Sequence, residues 1–313
     1  MRVITAAEVD SAMTWPRAVA ALREGHKRGK PQIGDVYLGE ASTGLLTRAA
    51  WISGMGSLVK AASVFPANVD RSPALPTVQG AALLMDPEAG SVIAAIDGAC
   101  LTKWKTAADS ALGSELLSRP DAATLTMIGA GAMAESLIRA HITVRPSVQQ
   151  VTIWNRSAAR TESLALRLGD LGRHLTVTTD LAAAVRSADI ICSATMSTEP
   201  LIRGAWLKPG AHLDLVGAYT AQMREADDEA ARRSRVFVDF RGTTIHHIGE
   251  LMAPIAGGAI SEGSVLGDLY DLIARSEGRQ TAADITFYKN GGGAHLDLMM
   301  ALAIVDGLNQ TSA

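Results

Sequence analysis

Apolar positions in the first third of the chain fall into short blocks with more than one period. Over residues 15–27 they recur at helical spacing, with Thr14 ahead as N-cap and Pro16 in the first turn, which predicts an amphipathic helix. The runs VYLGEA, GLLTRAAWI, SLVKAASVF, AALLMDP and SVIAAID that follow predict strands. Asp86-Pro87-Glu88-Ala89-Gly90 has the composition of a turn, so the last two runs form a hairpin. Residues 102–117 are rich in Ala and predict a long helix that stops before Pro120.

From Thr124 the texture changes. TLTMI, VTIW, HLTVTT, DIICSAT, HLDLVG and RVFVDF read as short buried strands, interleaved with helices over 132–144, 158–168, 181–186 and 224–233. Alternation of this length predicts an α/β fold: a doubly wound parallel sheet of Rossmann type with right-handed crossovers, joined to an α+β domain built from the first third. Beyond Asp239 the pattern blurs until a closing helix over 294–309, expected to pack back on the first domain.

Composition narrows the classes of function. With 48% hydrophobic and 19% charged residues among 313, the chain has material for a full core and is not disordered. A net charge of -3 without any Lys/Arg run argues against a nucleic-acid partner. Cys100 and Cys192 sit in apolar stretches without C-x-x-C spacing and read as small buried hydrophobes. No secretory pattern opens the chain, and no apolar run approaches the roughly 20 residues of a membrane helix, so the expected location is the cytoplasm, with no membrane partner.

The first strand of the alternating region leads into Gly129-Ala130-Gly131-Ala132-Met133-Ala134. A G-x-G-x-x-G/A string is weak by itself, but here a strand precedes it, a helix follows, and a second strand ends at Trp154. Gly129 permits the tight turn, Gly131 lets backbone approach a pyrophosphate, and Ala134 keeps the helix near the strand. The helix N-terminus supplies N–H groups and a positive dipole end. An NAD site has Asp or Glu at the end of the second strand for the ribose 2′-hydroxyl. Here that place reads Asn155-Arg156-Ser157. A guanidinium suits a 2′-phosphate, so NADP(H) is favoured, with NAD(H) still open.

The chain resembles the ornithine cyclodeaminase/mu-crystallin family over nearly its whole length. The stretches that carry the likeness are SLVKAASV (57–64), LMDPEAGSVIAAIDG (84–98), LTKWKTAADSAL (101–112), the glycine loop with IWNRS, VGAY followed by MREAD, and FYKNGGGAHLDL (287–298). The resemblance implies a homodimer built by an N-terminal domain that also carries substrate residues. It divides the chain into a substrate-binding and dimerisation domain over 1–118 with 288–313, and a dinucleotide domain over 119–287. It implies redox chemistry at a carbon bearing nitrogen, on a small imino or amino acid. Lys60 matches the family's substrate-carboxylate lysine. Lys105 stands where many members have Arg in T-x-x-R-T-A-A, and keeps the charge without the bidentate fork. Thr106, Ala194, Thr195, Val216, Gly217 and Lys289 complete the expected cofactor contacts.

Deaminating members place an Asp after the fifth strand of the sheet. This chain has Gly217-Ala218-Tyr219-Thr220, closer to the reductase and mu-crystallin version. Loss of a positioned proton-handling group disfavours ammonia release. The expected activity is therefore NADPH-dependent reduction of a cyclic ketimine such as pyrroline-2-carboxylate or piperideine-2-carboxylate. The alternatives are an NAD-dependent ornithine cyclodeaminase or amino-acid dehydrogenase, and a non-catalytic small-ligand-binding protein like mu-crystallin. Further candidates are Arg48, a possible guanidinium for the substrate, Asp35, for an amino group or a proton, and His295, an acid near neutral pH. His246-His247 with Glu250 is half a metal pattern without a third ligand motif, and no metal is expected.

Overall fold

The computed structural model describes residues 1–40, 43–73 and 75–311. The chain divides into two units, Met1–Thr106 with Gly293–Ala313, and Ala107–Gly292.

The first unit begins with β1 (Arg2–Ile4) and α1 (Ala6–Ala12), where Thr5 and Glu8 form a reciprocal capping box. Neither element was expected, because a strand with one buried residue carries no period. The predicted amphipathic helix is α2 (Trp15–Gly25), capped by Thr14. Five strands follow: β2 (Gln32–Gly39), β3 (Gly44–Ile52), β4 (Gly56–Val64), β5 (Val78–Met85) and β6 (Val92–Asp97). Their order is β1-β6-β5-β4-β3-β2, an antiparallel meander with β1 added in parallel, and β5–β6 is the predicted hairpin. Asp35, Arg48, Lys60 and Ala82 are successive cross-strand partners and therefore project from the same face of the sheet.

Helix α3 (Gly98–Leu117) starts four residues earlier than the Ala-rich stretch suggests, since the backbone N–H of Cys100 donates to Asp97 Oδ1 at 2.7 Å. The second unit then runs β7 (Thr124–Ile128), α4 (Ala134–Val144), β8 (Gln150–Trp154), α5 (Ala158–Arg167), β9 (His174–Thr178), α6 (Leu181–Ser187), β10 (Ile190–Ser193) and β11 (His212–Leu215). It continues with α7 (Asp228–Arg232), β12 (Ser234–Val238), α8 (Arg241–Thr244), α9 (Gly249–Ala256), β13 (Val265–Gly267), α10 (Leu269–Arg275) and β14 (Ile285–Lys289). All eight strands are parallel, in the order β13-β12-β14-β11-β10-β7-β8-β9. This is the doubly wound sheet expected, packed around Ile128, Ile191, Leu213, Leu215, Val236 and Phe287.

The boundaries differ from 118/119 and 287/288. β14 enters between β11 and β12, so residues 288–292 belong to the sheet. The second half of α3 belongs there too: Tyr288 donates its hydroxyl to Asp109 at 2.6 Å, and Ser110 donates to Asp214 at 3.0 Å. The helix expected over 224–233 begins only at Asp228, with Asp227 accepting the Ala230 amide as N-cap. The last helix, α11 (Ala294–Thr311), returns to the first unit, where Met299 packs on Gly25. Among the described residues no helix is long and apolar enough to cross a membrane.

Candidate active site

In the second unit the glycine loop stands at the carboxyl end of β7. Gly129 has φ of +103°, which L side chains rarely adopt. Its amide donates to the Trp154 carbonyl at 2.8 Å and ties the end of β7 to the end of β8. Ala130 is half-buried, Gly131 and Ala132 are exposed, and no atom lies within 4 Å of where a Cβ on Gly131 would stand. α4 begins at Ala134, two residues later than expected, with Met133 as N-cap; Ala134 is buried and lets the helix approach the sheet. The first amides of α4 have no acceptor within the helix, and the dipole makes that end positive. An open backbone at a helix N-terminus fits a pyrophosphate. At the end of β8, Asn155 Nδ2 donates to the Ser157 carbonyl at 3.3 Å, and Arg156 and Ser157 are exposed. No carboxylate occupies that turn.

The loops after β10 and β11 carry Ala194, Thr195, Val216 and Gly217, all half-buried. A Cβ on Gly217 would collide with the Thr195 backbone, so only glycine lets these loops touch. Glu225, which the sequence reading missed, is fully buried and holds both. Its Oε1 accepts from the Ser193 hydroxyl (2.5 Å), the Thr195 amide (2.7 Å) and the Thr195 hydroxyl (2.8 Å). Its Oε2 accepts from the amides of Gly217 (2.6 Å) and Ala218 (3.2 Å). Lys289, expected at the cofactor, is a correction. β14 has no exposed position, and Lys289 turns inward with Nζ donating to the Leu215 carbonyl at 2.8 Å. Its charge works against the burial that raises the Glu225 and Glu250 carboxyls.

The first unit gathers the remaining candidates. Arg48 holds Asp35 Oδ2 through Nη2 at 2.7 Å and Nε at 2.9 Å. Asp35 is therefore bound to a neighbouring guanidinium, which corrects its expected role as a ready proton donor. Lys60 is 7% exposed; its Nζ donates to Asp297 Oδ1 at 2.8 Å and lies 2.7 Å from Oδ2. It also reaches Thr102 Oγ1 at 3.3 Å. Lys105, three residues further along α3, shares the helical face of Thr102 and is buried, with Thr106 half-buried beside it. Asp297 was also missed, although a single acid in the apolar run AHLDLMMALAIV is a visible signal.

His295 is fully buried in the first turn of α11, its ring edge-on to His26 at 5.8 Å. Burial, then His26 and the charges of Lys105 and Arg48, hold it well below an ordinary imidazole. It is neutral at neutral pH, and the expected acid role is corrected for that reason. His246 and His247 do not join Glu250. That carboxylate is buried and accepts the amides of Glu225 (2.8 Å) and Ala226 (2.9 Å), while His246 is exposed, 3.8 Å from Glu262. His141, Cys192 and Asp214 bring ligand atoms within 4.8 Å of one another in the core of the second unit. The Cys192 thiol and the Ser110 hydroxyl donate to Asp214 at 3.2 Å and 3.0 Å, closing that group by hydrogen bonding.

The fold and these sites define a two-unit α/β protein, with an open glycine loop on its parallel sheet and two buried lysines, Lys60 and Lys105, in the other unit. The chain belongs to the ornithine cyclodeaminase/mu-crystallin family, whose model matches residues 53–312. It is 49% identical over 290 residues to Delta(1)-pyrroline-2-carboxylate reductase of Paracoccus denitrificans, covering 92% of this chain and 91% of that protein. The iminosuccinate reductase of Paracoccus denitrificans in complex with NAD+ matches at TM-score 0.90 and 27% identity, covering 100% of this chain and 97% of that one. Delta(1)-pyrroline-2-carboxylate reductase of Thermococcus litoralis, in complex with NADH and L-proline, shares the fold at TM-score 0.93 and 23% identity, with coverage of 100% and 99%.

The buried imidazoles predict an acid limit to stability. Burial lowers His26 to about 4 and His212 to about 3, and His295 lies well below its usual value. Each is neutral when folded and takes up a proton on unfolding below pH 6.5. Their contribution is therefore complete above pH 6.5 and is lost as pH falls toward the folded values. Glu250, pushed up to about 7 by burial and by Glu225, acts oppositely: its contribution is complete below pH 4.5 and lost as pH rises through 7. His295→Gln should reduce the dependence of unfolding free energy on pH by up to about 1.4 kcal/mol per pH unit near pH 5, and by about half of that at pH 6.5. Urea titrations at several pH values measure it, and parallel slopes in variant and wild type would refute the assignment.

Proposed function

We propose that this chain is an NADPH-dependent reductase of small cyclic imino acids, turning a ketimine such as pyrroline-2-carboxylate or piperideine-2-carboxylate into the cyclic amino acid. The observation that carries the reading is the pair of buried ammoniums Lys60 and Lys105, with the half-buried Arg48 opposite Lys60 in the sheet. Such a pair suits an organic carboxylate, and a buried ammonium binds it far more strongly than an exposed one does. The similarity to a relative named for pyrroline-2-carboxylate reduction supports the same substrate class. The first unit takes the imino acid in this reading, and the glycine loop of the second takes the dinucleotide.

When bound, a dihydronicotinamide supplies the hydride. Lys60 Nζ, oriented by Asp297 and Thr102, and Lys105 hold the substrate carboxylate. The imine nitrogen must be protonated to accept hydride well. His295 is neutral and Asp35 serves Arg48, so the proton comes with the substrate, whose basicity lies near neutrality. Tyr219, 60% exposed, stands where deaminases carry an Asp, and no carboxylate is offered there for releasing ammonia. Arg156, exposed at the end of β8, binds the 2′-phosphate.

The protein should oxidise NADPH in the presence of either cyclic imine and release no ammonia from ornithine with NAD. Arg156→Ala should weaken NADPH by about ten- to a hundredfold and leave NADH nearly unchanged. Ammonia and proline from ornithine without imine reduction would replace the reading with cyclodeamination, and equal loss of both cofactors would remove the role of Arg156.

Lys60→Met alone leaves the Asp297 carboxylate buried without its ammonium, which costs about 3–5 kcal/mol. Lys60→Met with Asp297→Asn should restore the melting temperature while imine reduction stays absent. A folded double variant with most of its activity would make Lys60 structural.

The outer face of the six-stranded sheet leaves Val36, Leu38, Leu45, Trp51 and Leu83 exposed, and the same reading has a second copy of the chain cover it. Sedimentation should find a dimer that Trp51→Glu dissociates; a monomeric wild type would end this part of the proposal.

A further inference from the structure

The switch in strand order of the second unit lies between β7 and β10. In open α/β sheets a ligand lies across the carboxyl ends of the strands at such a point. The glycine loop and the end of β8 occupy one side of it, where the adenosine half and pyrophosphate sit in the reading above. The other side is formed by the loops after β10 and β11. The strand ladder holds only their first residues, where the Val216 amide donates to the Ser193 carbonyl at 2.8 Å and the Ala194 amide to the Ile128 carbonyl at 2.9 Å; beyond that the backbone is irregular. Past those bonds, the side chain that joins Thr195 to Gly217 and Ala218 is Glu225. It reaches them from a segment that forms no helix: Ala226 makes an isolated bridge with Ile202, and α7 waits until Asp228.

We infer that Glu225 is the positioning residue for the nicotinamide half of the dinucleotide site, holding the Ser193–Thr195 and Gly217–Ala218 loops at the spacing the ring requires. This rests on the dinucleotide reading of the second unit. Five donors converge on the one carboxylate, three on Oε1 and two on Oε2. A buried carboxylate with that many donors is satisfied only as the anion, and charge-assisted bonds of this kind are the strong ones. Glu250 fixes Glu225 in turn by accepting the amides of Glu225 and Ala226, and Lys289 lies behind with its positive charge. Thr195 also stands against the glycine turn: a Cβ on Gly129 would lie 2.7 Å from the Ala194 carbonyl and 3.4 Å from Thr195 Cγ2. A displaced Glu225 therefore shifts the loops on the nicotinamide side, while the Gly129 turn keeps its bond to Trp154.

The test separates the two halves of the cofactor. Glu225→Gln presents an amide N–H2 to donors on one side and should loosen one loop. Binding of NADPH or NADH, whichever wild type prefers, should weaken by about tenfold or more. Binding of the matching fragment without nicotinamide, 2′-phospho-ADP-ribose or ADP-ribose, should stay within about threefold of wild type. Calorimetry reads both without turnover, and in assays the cofactor KM should rise more than kcat falls. Equal weakening of dinucleotide and fragment, or no weakening of either, overturns the proposal. Should Glu225→Gln not fold, Ser193→Ala removes one donor to Oε1 without adding a clash, and the same inequality between dinucleotide and fragment must appear, in smaller measure, or the proposal falls. A folded wild type that binds neither ligand would remove the dinucleotide reading itself, and the role of Glu225 with it.

Discussion

Lys60 keeps its ammonium where almost no water reaches it, and the arrangement of the first unit follows from that constraint. Taking an ammonium out of water costs several kcal/mol, which only a close anion and further hydrogen bonds offset. Thr102 gives one oxygen from α3, but the anion is Asp297, 237 residues away along the chain. The chain must therefore come back after building a whole second unit, and α11 brings the carboxylate under β4. Apolar packing keeps it there, with Met299 against Gly25. The same return carries His295 into a dry position beside His26, where an imidazole stays neutral. The returning helix thus orients Lys60 through Asp297, and it carries His295 to where burial, His26, Lys105 and Arg48 keep it neutral.

The second unit solves the opposite problem, a buried carboxylate, by other means. Glu225 is satisfied mainly by loop amides and hydroxyls rather than by a direct ion pair, with Lys289 placed behind. The insertion of β14 between β11 and β12 makes this possible, since it delivers Lys289 to the interior of the sheet. A charge expected at the cofactor becomes part of the support for irregular loops.

Fold does not settle function, and a doubly wound sheet with a glycine loop serves many reactions. What favours imine reduction in the proposed reading is local: the buried ammoniums of Lys60 and Lys105, suited to a carboxylate, and Tyr219 at the place where the family's deaminating members carry an Asp. The chemistry left to the protein is modest. In the proposed reading it must hold one anion, orient the dinucleotide and keep the carbon accessible, and that reading asks for no titrating acid near pH 7 at His295.

The strand–helix alternation, the hairpin before α3, the capped helix after Thr14 and the glycine loop were legible along the chain, because each is written in local periodicity and turn chemistry. The family resemblance, rather than any local pattern, pointed to Lys60 and Lys105, and the missing acid after β8 pointed to Arg156. The sequence did not show the boundaries at 106/107 and 292/293, the place of β14, or the start of α7. A strand buried on both faces has no alternation to read, and Ile-Thr-Phe-Tyr-Lys looks like nothing in particular until neighbours flank it. Nor did it show that Asp35 belongs to Arg48, that Lys289 faces inward, or that Asp297 and Glu225 are the carboxylates on which the sites depend. Those are pairings between residues far apart in the chain. The free energy of a buried charge is set by what surrounds it in space, and only the tertiary structure decides that.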